Sequence, residues 1–151
     1  MIAGNHDHSG NVTGQIEYTE KSNRWKFPSL YHSHSFTSGD GATFDLILID
    51  TVDLSGNSDM LSDFTPLPER KKSATLSSSQ QWTWIEQQLA SSTADYVIVG
   101  GHYPVYSLCE HGNTETLVTN LKPLLEKYGA HYLSGHDVSL FLALFFLSKS
   151  I

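Results

Sequence analysis

Cysteine is almost absent from this chain of 151 residues, in which Cys109 is the single example. One cysteine cannot form an intrachain disulfide, so the cysteine content gives no indication of the compartment. Basic residues are also scarce: nine lysines and arginines stand against sixteen aspartates and glutamates, and the formal net charge at pH 7 is -7. A nucleic-acid-binding domain needs a basic face toward the phosphate backbone, so we exclude nucleic acid as a partner.

Long apolar runs are missing as well. The mostly apolar stretch from Val138 to Leu147 is shorter than the roughly 20 residues that a membrane-spanning helix needs. The opening residues, Met1, Ile2 and Ala3, include neither the charged nor the long apolar region of a signal peptide. Hydrophobic residues make up 39% of the chain and charged residues 17%, which is typical of one globular domain with a buried core.

The first half of the chain predicts two paired strands. Residues 31–36 alternate aromatic or histidine side chains with serine, residues 44–49 form a buried-strand run, and Ser38 to Gly41 is typical of a hairpin loop. His32 and His34 share one face and could chelate a metal, but an exposed strand face is the favoured interpretation. The other expectations for this half are a strand end at Ile2 and Ala3, a weak helix over 11–24 and a long loop over 50–79.

The second half of the chain predicts a strand, a helix and a strand. Before them, apolar residues on helical spacing after a capping box predict a helix from about Ser78 to Ala90. Residues 96–99 are typical of a central strand covered on both faces, and residues 130–133 form the next strand. Residues 114–128 place leucines on one helical face, with Pro123 indicating a kink or a late helix start. This order predicts an α/β fold with a site at the carboxyl edge of the sheet.

Three glycine-flanked segments each place a potential metal ligand after a short apolar run, where a strand gives way to a loop. The candidate ligands are the side-chain oxygen of Asn5 and the imidazoles of His102 and His136. A mixed oxygen and imidazole set suits Zn, Fe or Mn better than Mg or Ca. The segments are Gly4-Asn5-His6-Asp7-His8, Gly100-Gly101-His102-Tyr103-Pro104 and Ser134-Gly135-His136-Asp137.

These segments resemble the second half of the metal-binding pattern of the calcineurin-like metallophosphoesterase superfamily, and among its members the tartrate-resistant purple acid phosphatases. Three further motifs follow in the family's order: Asp50 to Val52, Gly56 to Asp59 and Glu110 to Gly112. The resemblance covers residues 3–137 and implies an incomplete metallophosphoesterase α/β sandwich, in which mixed β-sheets are flanked by helices. Residues 138–151 are then a divergent apolar tail.

The resemblance also implies roles for the site residues. In the family, a binuclear centre of Fe with Fe, Zn or Mn grips the phosphoryl group and supplies the hydroxide that attacks phosphorus. Asn5, His102 and His136 match ligands of the divalent ion, so only that part of the centre is partly retained. His6 and His111 match residues that contact the substrate, and they are the candidate catalytic acids that protonate the leaving alkoxide.

The sequence also departs from the family's pattern. The last histidine of the third segment is Val138 here, and the family's other ligands of the first, ferric ion would precede Met1. We therefore expect an N-terminally truncated chain with impaired activity. Glu110 matches a substrate-binding or outer position from which it would orient the neighbouring His111.

The resulting prediction is a metal-dependent acid phosphatase, a phosphoric monoester hydrolase that acts on phosphate monoesters or phosphoproteins. The resemblance implies a lysosomal or secreted protein, and Asn11-Val12-Thr13 is a candidate glycosylation sequon. Two alternatives stay open. One is a non-catalytic truncated isoform whose apolar tail contacts a membrane or a partner, and the other is a phosphodiesterase that uses a single metal ion.

Overall fold

The computed structural model of the protein describes residues 1–56, 78–109 and 111–137. The strands are β1 His32–Thr37, β2 Thr43–Leu48, β3 Tyr96–Gly100 and β4 His131–Leu133. They form one sheet in the order β1-β2-β3-β4, in which β1 and β2 are antiparallel. The pairings of β2 with β3 and of β3 with β4 are parallel. The predicted hairpin and the predicted α/β class are therefore confirmed.

Five α-helices accompany the sheet within the described residues. They are α1 Asn5–Ser9, α2 Val12–Glu17, α3 Thr51–Leu54, α4 Ser78–Ser91 and α5 Lys122–Tyr128. The helix predicted from Ser78 to Ala90 is confirmed as α4. The helix predicted over 114–128 includes a π-helical turn, Leu117–Leu121, that leads into α5, whose first turn contains Pro123. Proline fits there because the first N–H groups of a helix have no intrahelical acceptor.

The helices α4 and α5 pack against one face of the sheet. Ile47, Val99 and Tyr132, one from each parallel strand, are buried on this face. Burial of a large apolar side chain contributes about 1.5–3 kcal/mol, so this layer supplies much of the stability of the sheet. The helical residues that complete this core are Ile85, Leu89, Leu121 and Leu125.

The opposite face of the sheet is only partly covered. Phe44 of β2 and Tyr96 of β3 are register partners on this face and stack with their ring centroids 5.1 Å apart. Tyr96 remains 49% exposed and Leu133 of β4 44% exposed. The prediction that residues 96–99 are covered on both faces is wrong for Tyr96, which is half exposed. Among the described helices, α4 and α5 both lie against the other face.

The N-terminal segment also differs from the prediction. Ile2 and Ala3 form no strand, and the chain enters α1 directly after Gly4. The carboxylate of Asp7 accepts a hydrogen bond from the backbone N–H of Gly4 at 2.9 Å, which fixes the first turn of α1. The weak helix predicted over 11–24 is present in shortened form, as α2 followed by one 3-10 turn.

The long loop predicted over 50–79 contains a helix at its start. Asp50 Oδ1 accepts hydrogen bonds from the backbone N–H groups of Val52 and Asp53 and so caps α3. The described part of the predicted loop is therefore mostly helical. The remaining residues of this loop, 57–77, lie outside the described residues, as do Glu110 and the apolar tail at 138–151.

The parallel strands end at one edge of the sheet, and polar side chains follow each of them. Asp50 follows β2, His102 follows β3 and His136 follows β4. In open α/β sheets, ligands bind outside this carboxyl edge, which is where the sequence predicts the site. None of the described helices has the length and apolar content to cross a membrane.

Candidate metal centre

Asn5, His102 and His136 meet at the carboxyl edge of the sheet. Nε2 of His102 lies 2.9 Å from Oδ1 of Asn5 and 3.0 Å from Nδ1 of His136. Asn5 and His102 are 97 positions apart in the sequence, and His102 and His136 are 34 apart. The fold thus brings together the three side chains that the glycine-flanked segments singled out.

The spacing of these three side chains fits ligands of one cation. Nitrogen and oxygen ligands lie about 2.0–2.2 Å from Zn²⁺, so two ligands that share an ion are roughly 3.0–3.5 Å apart. Hydrogen bonding alone explains the spacing less well, because Nε2 of His102 carries at most one hydrogen and has two polar neighbours at bonding distance. One amide oxygen and two imidazoles also form a donor set suited to Zn, Fe or Mn. The residues present therefore fit a divalent metal.

Backbone contacts fix the loop that carries His102. The N–H groups of His102 and Tyr103 donate to Oγ1 of Thr51 at 3.1 and 2.9 Å. The carbonyl of His102 accepts a hydrogen bond from the N–H of Gly135 at 3.1 Å, which joins this loop to the exit of β4. The imidazole lies against Gly4, where a methyl group would be 2.8 Å from Cε1 of the ring. Glycine at position 4 is needed for this close approach.

His136 occupies an unusual backbone conformation beside a second group of donor atoms. Its φ of 73° is the only positive φ of a non-glycine residue in the described part of the chain, and such strain persists mainly at functional sites. His111, His136 and Asp137 offer ligand atoms that all lie within 4.8 Å of one another. Asp137 also accepts a hydrogen bond from the hydroxyl of Ser107. His136 therefore adjoins both donor sets.

The environment of His102 and His136 favours the neutral form of each imidazole. Burial lowers the pKa of His102, the neighbouring His136 lowers it further, and nearby carboxylates oppose the shift. Burial also lowers the pKa of His136, and the neighbouring His111 acts in the same direction. Both imidazoles therefore stay unprotonated at lower pH than an exposed histidine, and the unprotonated form is the one that binds a metal.

The two candidate proton donors lie beside the cluster. His6 is exposed on α1, and its charge acts on both His102 and His136 to lower the pKa of each. His111 is also exposed, and its ring centroid lies 4.5 Å from that of His136. His111 therefore lies next to one candidate ligand, and His6 directly follows another, Asn5, in the sequence. Glu110 lies outside the described residues.

Three other residues singled out from the sequence do not join the cluster. His32 and His34 meet edge to face on β1, with ring centroids 5.1 Å apart. The exposed-face interpretation is wrong for His32, which is buried and has the ring of Phe27 at 6.2 Å. Asn11 is exposed and caps α2 with its side-chain oxygen.

Sequence reasoning missed the polar residues beneath the cluster. Asp50 and Thr51 are fully buried; Asp50 contacts His8 of α1, and Thr51 holds the loop of His102. The motif from Asp50 to Val52 contributed to the family resemblance, but the sequence analysis predicted no structural or catalytic role for Asp50 or Thr51. The sequence did contain an indication of their importance. Two polar residues directly follow an apolar run, at the carboxyl end of a strand, where ligands bind to parallel sheets.

The structure thus defines a mixed sheet with an amide and imidazole cluster at its carboxyl edge. Residues 1–140 match the family described as calcineurin-like phosphoesterase, and the chain belongs to that family.

Within the family, the chain is similar to acid phosphatases. It is 47% identical over 143 residues to tartrate-resistant acid phosphatase type 5 of Homo sapiens and 46% identical to that of Rattus norvegicus. It is 30% identical over 145 residues to purple acid phosphatase 4 of Arabidopsis thaliana. The alignments cover 93%, 93% and 91% of this chain but only 43%, 42% and 40% of the three relatives. The resemblance to purple acid phosphatases is confirmed, and the chain spans less than half the length of these relatives.

A solved structure shares the fold. It is titled "GAP50 the anchor in the inner membrane complex of Plasmodium" and matches this chain with a TM-score of 0.67 and 28% sequence identity. The match covers 90% of this chain and 42% of that chain. The mixed α/β fold predicted from the sequence is therefore shared with this structure, whose title describes an anchor.

Proposed function

We propose that this chain carries the divalent-metal part of a phosphatase site and that the site acts on phosphate monoesters, including phosphoproteins. The observation that carries this proposal is the convergence of Asn5, His102 and His136, with contacts of 2.9 and 3.0 Å around one imidazole nitrogen. A divalent ion bound there would neutralise phosphoryl charge and lower the pKa of a coordinated water. The type of ion is proposed as Fe, Zn or Mn from the donor set.

The exposed histidines beside the cluster would handle the substrate. His6 and His111 would each present an imidazole N–H to a phosphoryl oxygen or to the departing alkoxide. Imidazole suits this role because it can carry a proton near neutral or mildly acidic pH. Glu110, which precedes His111 in the sequence, would orient its imidazole.

We further propose that the chain as written turns over substrate weakly. The resemblance assigns a ligand of a second metal ion to the position of Val138, and the valine side chain has no donor atom. A site with one ion loses the second cation that would stabilise the attacking and leaving oxygens. A single-ion site that hydrolyses phosphodiesters is the less favoured alternative to this proposal.

Metal titration tests the centre directly. The metal-free chain is titrated with Zn²⁺ or Co²⁺, and bound metal is counted by mass spectrometry. We expect one ion per chain for the wild type, loss of binding in Asn5→Ala and His102→Ala, and unchanged binding in His34→Ala, which removes an imidazole from β1. Equal binding by His102→Ala and wild type contradicts the proposal.

Turnover is measured separately, with 4-nitrophenyl phosphate as a monoester and bis(4-nitrophenyl) phosphate as a diester. We expect slow, metal-dependent hydrolysis that favours the monoester. His6→Ala and His111→Ala should each reduce it by roughly 10²-fold or more while metal binding persists. Preference for the diester would favour the single-ion phosphodiesterase.

A second candidate function is a non-catalytic binding protein whose apolar tail at 138–151 contacts a membrane or a partner. Two observations favour it: the fold is shared with the structure titled as an anchor, and a cavity of about 470 Å³ on the partly covered sheet face is lined by Leu46, Leu48 and Leu133. Under this hypothesis, residues 3–137 form the folded domain, and the apolar tail binds the membrane or the partner. Liposome flotation of the full chain and of a chain ending at Asp137 tests it; equal partitioning would reject the tail as an anchor.

A lysosomal or secreted location is also proposed, on the similarity to acid phosphatases. Asn11 supports it, because this sequon residue is exposed and its side chain is accessible for N-linked glycosylation.

A further inference from the structure

The residues that follow β2 contact both α1 and the loop after β3, which carry the candidate ligands Asn5 and His102. Asp50 and Thr51 are fully buried at this point, directly below the cluster at the carboxyl edge of the sheet. They are adjacent in the sequence, yet their side chains reach different segments. One contacts α1, which begins with Asn5, and the other contacts the loop of His102.

The first of these contacts joins Asp50 to His8. Nε2 of His8 lies 3.1 Å from Oδ1 and 3.0 Å from Oδ2 of the carboxylate. The hydrogen bond is formed with Oδ1, and Oδ2 has no hydrogen-bond partner of its own. Both residues are buried, where a carboxylate needs such a partner. Since His8 and Asn5 lie on the five-residue helix α1, the contact holds that helix against the end of β2.

The second contact joins Thr51 to the loop after β3. Its hydroxyl oxygen accepts hydrogen bonds from the consecutive backbone N–H groups of His102 and Tyr103, at 3.1 and 2.9 Å. Two bonds to one oxygen fix the direction in which the chain leaves the strand. That direction sets where the imidazole of His102 lies.

The core helix α4 holds this pair of residues from the other side. Oε1 of the buried Gln81 accepts a hydrogen bond from the N–H of Asp50 at 2.8 Å, and its Nε2 lies 3.4 Å from the carbonyl of Asp50. Asp50 is thus bonded through its backbone to α4 and through its side chain to α1. Asp50 and Thr51 therefore connect the hydrophobic core to the segments that carry Asn5 and His102.

We propose that Asp50 and Thr51 are positioning residues that set the distance between Asn5 and His102, and that His8 transmits this position to α1. The inference rests on the proposed metal centre and deepens it. Asn5 and His102 are 97 positions apart in the sequence, so only tertiary contacts fix the distance between them. Loss of either contact should therefore spread the ligands and weaken metal binding even in a folded protein.

The main test compares Thr51→Val with Thr51→Ser. Valine keeps the shape of threonine without its hydroxyl, whereas serine keeps the hydroxyl. Each folded, metal-free chain is titrated with Co²⁺, whose visible absorption reports the ligand geometry. We expect Thr51→Val to raise the Kd for Co²⁺ by about tenfold or more and to change the absorption bands. Thr51→Ser should stay within roughly threefold of wild type, by the same reasoning.

The His8 contact is tested in parallel with His8→Leu and His8→Gln, since glutamine keeps a donor of similar reach. We expect weakened Co²⁺ binding in His8→Leu and partial recovery in His8→Gln. Ile85→Val is the control, because it trims the core without touching these contacts and should leave the Kd unchanged. If Thr51→Val does not fold, the His8 pair decides the question on folded protein.

The outcomes separate the two proposals. If wild type binds no Co²⁺, or if binding survives both Asn5→Ala and His102→Ala, the proposed metal centre fails and the positioning role fails with it. If wild type passes that test but Thr51→Val binds Co²⁺ as tightly as Thr51→Ser, with the same spectrum, only the positioning role is overturned.

Discussion

The imidazole of His102 lies against the backbone of Gly4 while its Nε2 atom faces Oδ1 of Asn5 at 2.9 Å. The glycine therefore does two things: it lets the ring approach α1, and it begins the helix that presents the asparagine. Its φ of -101° is open to any residue, so the requirement for glycine comes from space alone.

Gly4→Ala should weaken metal binding. A methyl group at this position would lie 2.8 Å from Cε1 and 2.9 Å from Nδ1 of His102, so the ring must move. We expect a roughly tenfold rise in the Kd for Zn²⁺ or Co²⁺ and a stability loss of about 1–3 kcal/mol. Gly10→Ala is the matched control, since its methyl group would meet its nearest atoms at 3.5 Å. Equal Kd values for the two variants would contradict this prediction.

The metal-free protein should lose stability as the pH falls below about 6.5. Burial lowers the pKa of His32, and it also lowers those of His102 and His136. The unfolded chain protonates these histidines near pH 6.5, whereas the folded chain does so only at lower pH. Between those values the unfolded state binds more protons, so the free energy of unfolding decreases with falling pH.

His32→Gln isolates one of these contributions away from the metal centre. Nε2 of His32 is buried without a hydrogen-bond partner, so protonation there is unfavourable in the folded state. Urea unfolding at several pH values between about 5 and 7.5 should show a shallower acid decline for the variant than for wild type. Identical slopes would show that His32 is not protonated on unfolding in this range.

Tyr132→Phe should destabilise the protein by about 1 kcal/mol. The hydroxyl of Tyr132 is buried and donates to the carbonyl of Tyr103 at 2.6 Å, and burial raises its pKa far above the usual range. Tyr128→Phe removes a hydroxyl whose contact, with the exposed Glu86, is 3.4 Å long, so it should change the free energy of unfolding little. Similar losses for both variants, measured in urea, would argue against a special role for the buried bond.

Asn11 should both cap α2 and accept a glycan. Its Oδ1 accepts a hydrogen bond from the N–H of Gly14 at 2.9 Å, so Asn11→Ala should cost about 1 kcal/mol. Asn11→Asp keeps an oxygen at the cap and should retain most of that stability. When the chain is secreted from eukaryotic cells behind an added signal peptide, both variants should lose the mobility shift that endoglycosidase removes from wild type. A wild-type chain without any such shift would reject the glycosylation proposal.

Local sequence patterns predicted the elements that depend on neighbouring residues. The hairpin of β1 and β2 follows from alternation around Ser38 to Gly41, and α4 follows from helical spacing behind its capping residues. Pro123 predicted a kink or a late helix start because proline disrupts a helix interior, and it lies in the first turn of α5, directly after the π-helical turn. The motifs also named Asn5, His102 and His136 before any geometry was known.

The features that the sequence did not predict depend on which segments meet. The second face of β3 is only partly covered because α4 and α5 both pack on the first face, and an apolar run does not encode that choice. The roles of Asp50, Thr51 and His8 arise from contacts across more than 40 positions, and polar residues of these types occur equally in ordinary loops.

The sequence by itself determined the family, the order of the four strands with α4 and α5, and the residue types that could hold a metal. These depend on composition and on spacing along the chain. Tertiary structure alone decided that an asparagine and two histidines face one another, and that a buried aspartate and threonine lie beneath them. The physical reason is that contact distances between remote residues are set by packing of the sheet edge, which no local pattern specifies.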